Sequence, residues 1–275
     1  MRRSIVLLPA LTLVAGITAL VGRTATNAAP APNGLLRHSA PIAVLKAGQS
    51  TNWFGYNQGA LEPGKSLFHS ITANWTVPTA TEHKKGEDES SATWAGIGGG
   101  CLDSSCLVGD NTLIQAGTEQ DIVSGTAQYS AWWEVIPAPS ITITMTITPG
   151  DRMHLDIHEI VPNSELWSIT LSDVSRNETF NQTVPYPSTY GSAEWVNETP
   201  LLIGTNAGFS ALPTLSPTTF DQGTANGVNP HLTPAEEIQL VTQNGTVYGA
   251  PSAPDGDTDG GAVCAWATSC STPSS

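Results

Sequence analysis

The sequence predicts an all-β fold, a sandwich or a barrel, and three observations carry that expectation. Short runs alternate apolar and polar residues with a period of two, which puts successive side chains on opposite faces of a strand. Turn-forming residues separate the runs at regular intervals, and the 26 Gly and 20 Pro are spread along the chain rather than gathered in one tract. No stretch carries a capped helical stripe; Pro234-Ala235-Glu236-Glu237 suits a single helical turn at most.

The elements follow in order. Arg2 and Arg3 precede an apolar run from Ile5 to Val21, and Thr26-Asn27-Ala28-Ala29-Pro30 supplies the small residues of a signal-peptidase site. Residues 1–29 therefore read as a signal peptide, and the chain as secreted and extracellular. A retained membrane anchor is the alternative, but Pro9, Thr12, Gly16 and Thr18 interrupt a run already marginal for spanning a bilayer. Residues 30–50 show no strong period and read as a linker or short pro-segment. From residue 51 to 275 a single β domain is expected. Its alternating runs fall at 69–79, 91–100, 111–120, 128–137, 140–151, 153–160, 165–175, 178–187, 193–200, 237–248 and 261–267. The run 140–151 is the clearest, with Ile141, Ile143, Met145 and Ile147 on one face and threonines on the other.

Composition narrows the function. A hydrophobic content of 39% with 8 Trp supports a real core. Ten Lys+Arg face 24 Asp+Glu, and loss of residues 1–29 removes Arg2, Arg3 and Arg23 but no acid, taking the net charge from −14 to −17. So little positive charge argues against a nucleic-acid partner. At acidic pH the carboxylates take up protons and leave the chain nearly neutral, although acidity also serves solubility alone. Cys101 with Cys106 and Cys264 with Cys270 read as two local disulfides of an exported protein, with the other pairings of four cysteines still open.

Three segments combine polar and aromatic residues beyond what packing demands. In LIQAG, Leu113 and Gln115 share a strand face. In AWWEV, Glu134 sits beside Trp132 and Trp133. In AEWVNE, Glu194, Val196 and Glu198 point the same way, so one Glu can enter a concave sheet face while the other lies near its rim. A Glu walled by Trp is desolvated, its pKa rises, and it exchanges protons at acidic to neutral pH. The plain alternative is that Glu134 and Glu194 face solvent.

Other motifs carry less. His154 and His158 with Glu159 imitate a zincin motif, but on a strand the two His stand about 13 Å apart. Asp255, Asp257, Asp259 and Gly260 imitate the start of a calcium loop whose twelfth position is Trp266 rather than Glu, so an acidic turn is expected and no metal. Asn74, Asn177, Asn181, Asn197 and Asn244 lie in glycosylation sequons, and a glycan at Asn197 would obstruct any cleft at Glu194. No G-x-S-x-G element occurs.

Seven segments in order bring the chain close to a known family: NWFG at 52–55, WTVP at 75–78, WAGIGG at 94–99, LIQAG at 113–117, AWWE at 131–134, PGD at 149–151 and AEWVNE at 193–198. Together with EIQLVTQNGTVYGAPS near the end, they resemble the glutamic peptidases, or eqolisins, over residues 50–268. The resemblance implies an antiparallel two-sheet β-sandwich, a concanavalin-like jelly roll, and acid endopeptidase activity without a cofactor. It places the catalytic pair on Gln115 and Glu194, and substrate-binding residues at Trp53, Trp94, Trp132 and Glu134. The family's usual Asp in its GID segment is Gly98 here, which puts a supporting carboxylate at that point in doubt. The expected partners are protein or peptide substrates, with no nucleic acid, no membrane after signal removal, and a monomeric state. A jelly-roll glycoside hydrolase using Glu134 and Glu194, or a carbohydrate-binding module, is the alternative.

Overall fold

The computed structural model describes residues 36–38, 40–203 and 207–274. The signal-peptide expectation for residues 1–29 lies outside them. Among the described residues strands dominate, and one 3-10 turn, Pro234–Glu236, takes the place of the expected helical turn.

The principal strands are β1 (Trp53–Gly59), β2 (Ser70–Thr76), β3 (Glu89–Gly98), β4 (Leu113–Val123), β5 (Thr126–Val135), β6 (Ile141–Ile143) and β7 (Arg152–Glu159). They continue with β8 (Leu166–Asp173), β9 (Glu178–Pro185), β10 (Ser192–Glu198), β11 (Thr218–Ala225), β12 (Glu237–Val241), β13 (Val247–Pro251) and β14 (Gly261–Ala265). All belong to one large sheet, in the order β6-β5-β4-β3-β10-β1-β12-β13-β14-β11-β2-β7-β8-β9, with antiparallel neighbours throughout. A sheet this long does not stay flat. It turns back on itself, so that Trp75 Nε1 of β2 donates to Thr118 Oγ1 of β4 at 3.2 Å and Trp195 Nε1 of β10 donates to the Thr72 carbonyl of β2 at 3.0 Å.

The main core fills the space between these two portions. Ile71, Leu155, Trp167 and Ile169 pack from one side, and Ile97, Ile114, Ala116, Trp133 and Trp195 from the other. Strands β7 and β8 bury alternate residues, as the period-two runs require of a sheet with one wet face. Strands β1 and β10 differ: every residue in them is buried. Their second face carries its own apolar cluster of Trp53, Trp94, Leu113, Trp132, Val196 and Ile238.

Two expectations change here. The run 140–151 pairs only over Ile141–Ile143, because the Met145 N–H turns back to the Ile143 carbonyl at 2.9 Å and the chain leaves its neighbour to cross to β7. Strand pairing also begins before residue 51, since Val44–Lys46 and Gln49–Ser50 pair with each other and Gln49–Ser50 runs parallel to β12. Both local disulfides, Cys101–Cys106 and Cys264–Cys270, are formed.

Candidate active site

Strand register decides which side chains meet. Glu194 of β10 stands opposite Asn57 of β1 and Gly96 of β3, Gly96 stands opposite Gln115 of β4, and Gln115 stands opposite Glu134 of β5. Directly opposed residues share a face, so Asn57, Glu194, Gly96, Gln115 and Glu134 form one row across the sheet. Glycine in the middle of the row is required: a Cβ at Gly96 would lie 2.7 Å from the Ile114 carbonyl oxygen and 2.9 Å from Gln115 Cβ. Its lack of a side chain leaves room between Glu194 and Gln115, whose Cα atoms are two strand spacings, about 10 Å, apart.

Two residues along, the same face carries the aromatic wall. Val196 is opposite Trp94, Trp94 opposite Gly117, and Gly117 opposite Trp132. Trp53 meets Trp94 edge-on, with centroids 4.9 Å apart and planes at 79°, and Trp94 Nε1 donates to Glu198 Oε2 at 2.9 Å. The structure thus brings together Gln115, Glu194, Glu134, Trp53, Trp94 and Trp132, all on one face of adjoining strands. Trp133 points the other way, into the main core.

The polar groups of this face are poorly satisfied. Glu194 is 0% exposed, and apart from the nearby Ser192 hydroxyl its carboxyl has no hydrogen-bond partner among the described residues. Gln115 Oε1, Trp53 Nε1 and Trp132 Nε1 are likewise buried without one. Such orphans are expensive, and their concentration in one place marks a site kept for something other than stability. Gln115 Nε2 donates to Glu134 Oε2 at 3.0 Å, which fixes the amide plane and leaves the second N–H of the same nitrogen.

Burial pushes Glu194 well above its ordinary value; the nearby Ser192 hydroxyl opposes the rise and the charge of Asp110 adds to it. Sequence reasoning missed Asp110. It follows the Cys101–Cys106 loop and accepts from the Thr112 N–H at 2.8 Å, the Thr112 hydroxyl at 2.9 Å, the Gly191 N–H at 3.1 Å and the Thr189 hydroxyl. A carboxylate therefore does act on Glu194, delivered by a loop rather than by the strand position that holds Gly98. Asn57 clamps the same loop, accepting from the Cys101 N–H at 2.8 Å and donating to the Cys101 carbonyl at 3.0 Å. A Cβ at Gly100 would stand 2.5 Å from Glu194 Oε1, so the loop backbone presses directly on the carboxyl.

The segment before β1 covers part of this face. The Ile42 N–H donates to the Gly99 carbonyl at 2.8 Å, the Ala40 N–H donates to Glu198 Oε1 at 3.2 Å, and Ile42 packs on the tryptophan cluster. Asn197 corrects a sequence expectation. It lies on the opposite face of β10, 1% exposed, with Nδ2 donating to Thr218 Oγ1 at 3.1 Å, so a glycan there would meet the core rather than the cleft.

Comparison with known proteins identifies the family and relates the fold to solved structures. The Peptidase A4 family profile matches residues 51–259. Scytalido-glutamic peptidase, solved with a transition-state analogue inhibitor, superposes with a TM-score of 0.58 at 19% identity, covering 79% of this chain and 98% of that one. SCP-B, described as a member of the eqolisin family and solved with the tripeptide Ala-Ile-His, gives 0.54 at 17% identity with the same coverage. No curated protein matches the chain in sequence. A family match across most of the chain, joined to this fold, places the protein in the Peptidase A4 family as a glutamic-type peptidase.

Proposed function

We propose that the protein is a secreted acid endopeptidase in which Glu194 and Gln115 act as one catalytic unit on a concanavalin-like two-layer sandwich. The observation that supports it most is the single row Glu194–Gly96–Gln115–Glu134 on a buried face walled by Trp53, Trp94 and Trp132. Ionised Glu194 takes a proton from a water as that water's oxygen attacks the scissile carbonyl carbon. The resulting oxyanion accepts a hydrogen bond from the free N–H of Gln115 Nε2. The C–N bond then breaks, and Glu194 returns its proton to the departing amine. An amide cannot serve as the base, because it does not titrate in this range.

Glu134 is a positioning residue in this scheme. With its oxygen holding one N–H of Gln115, the other points toward the developing charge. Glu134→Gln is expected to lower kcat about 10- to 100-fold with KM little changed, since only the transition state uses the donor. Steady-state kinetics on a peptide substrate check this; an unchanged kcat would remove Glu134 from the scheme.

Residues 30–50 act as a pro-segment. Ile42 and Ala40 lie over the tryptophan cluster and Glu198, and their departure admits both substrate and water to the cleft. Rehydration lowers the Glu194 pKa toward its ordinary value, which makes the base competent at acidic pH. Ile42→Asp in the full chain is expected to shorten the lag before casein cleavage at pH 4; an unaltered lag contradicts the pro-segment role. The proposed activity is tested by incubating denatured casein at pH 3–5 with an inhibitor of two-aspartate proteases, beside a polysaccharide panel. Uninhibited cleavage of casein with the polysaccharides intact supports the reading, whereas full inhibition or polysaccharide cleavage redirects it.

A further inference from the structure

Strand β11 is broken by a bulge: its register against β2 shifts between Asp221 and Thr224, and Gln222 adopts φ +53°. Across from it runs the loop between β13 and β14, which carries Asp255, Asp257 and Asp259. One carboxylate oxygen from each of Asp221, Asp255 and Asp259 lies within 4.8 Å of the other two. Two oxygens on one Ca²⁺, each about 2.4 Å from the ion, stand at most about 4.8 Å apart, and each pair here meets that limit. For Mg²⁺, with bonds of about 2.1 Å, the corresponding limit is about 4.2 Å.

A second observation points to a ligand independently of this clustering. Asp255 is 5% exposed, and its Oδ1 is sealed from solvent without a hydrogen-bond partner among the described residues. A buried carboxylate oxygen left in this way is costly, and a cation held between three carboxylates satisfies it. Among the described residues no Lys or Arg pairs with Asp221, Asp255, Asp257 or Asp259; Arg152 lines the neighbouring groove with Asp221 but makes no ion pair with it. The Gln222 N–H donates to both Asp221 Oδ1 and Asp259 Oδ1 at 3.0 Å, which holds these two carboxylates together across the bulge.

We propose that Asp221, Asp255 and Asp259 bind one Ca²⁺ that fastens the β11 bulge to the β13–β14 loop. The loop lacks the acidic twelfth residue of a continuous calcium loop, and Asp221 supplies a ligand from a different strand instead. The ion is structural. The Gly223 N–H donates to the Asp259 carbonyl at 3.0 Å, and a Cβ on Gly223 would come within 2.9 Å of Trp195 Nε1, so the bulge backs the residue next to Glu194. Holding it steadies the strand that carries the base.

The test is calorimetric titration of metal-free full-length protein at pH 6 with CaCl₂ and, separately, MgCl₂, alongside thermal unfolding at each concentration. One saturable Ca²⁺ site per chain is expected, with a midpoint of unfolding that rises with Ca²⁺ and an affinity for Mg²⁺ at least tenfold weaker. Asp255→Asn should weaken Ca²⁺ binding at least tenfold, whereas Glu178→Gln, on the exposed start of β9, should leave it unchanged. If Asp255→Asn does not fold, Asp221→Asn at the half-exposed strand position gives the same readout. Absence of saturable Ca²⁺ binding, equal affinity for both ions, or undiminished binding in the folded Asp variant would overturn the proposal.

Discussion

Glu194→Gln is expected to abolish peptide hydrolysis, with a loss in kcat of about a thousandfold or more, because it removes both the acceptor of the water's proton and the donor to the leaving amine. The substitution keeps the shape of the side chain, so the β-rich circular dichroism should not change. Its effect on stability has a definite sign. Burial holds the Glu194 pKa well above its ordinary value of 4.5, so the folded state binds a proton more tightly than the unfolded chain does. Such a carboxyl costs nothing below about pH 4.5 and opposes folding increasingly as pH rises from there through the folded pKa. Glutamine carries no such penalty. The variant should therefore melt at a higher temperature than the parent at pH 7 and at nearly the same temperature at pH 4. Casein hydrolysis and thermal unfolding at the two pH values measure both halves; a variant that still cleaves, or that melts lower at pH 7, counts against the assignment.

Gln115→Ala is expected to lower kcat about 100- to 1,000-fold with a much smaller change in KM, since one oxyanion donor in a water-poor site is worth about 3–4 kcal/mol. Gln115 is fully buried on a central strand, so some stability is lost with it. The kinetic signature separates the two effects: a loss of fold lowers the amount of active enzyme in proportion, whereas loss of the donor lowers kcat in the folded fraction. Active-site titration with a tight-binding peptide analogue, followed by turnover per titrated site, makes that distinction. A wild-type turnover per site would leave Gln115 without a catalytic role.

Much of this was legible in the chain because alternation in a strand reports which side chains share a face. Glu194, Val196 and Glu198 do share one, as do Leu113 with Gln115 and Trp132 with Glu134. The same parity places Asn197 on the other face, although closeness in sequence to Glu194 suggests a glycan in the cleft. What alternation cannot supply is the order of strands, and that order makes Gly96 the gap between Gln115 and Glu194 and makes Glu134 the partner of the amide. Nor can it locate Asp110, which acts on Glu194 from the irregular segment that follows the disulfide-closed loop and has no strand period of its own. The acidic turn at 255–259 read as an incomplete calcium loop because the completing residue, Asp221, lies on another strand. The long run 140–151 shortened in the structure for a related reason: its periodicity records one buried face, but a strand also needs a neighbour along its whole length.

The most direct test of the catalytic pair is a double-mutant cycle on kcat for peptide hydrolysis, using the parent, Glu194→Gln, Gln115→Ala and the combined variant. Residues that act as a unit lose their effects together, so the combined variant should be no slower than the worse single variant, within a few-fold. Losses that multiply, or a single variant that keeps the parent rate, would contradict a shared mechanism at Gln115 and Glu194.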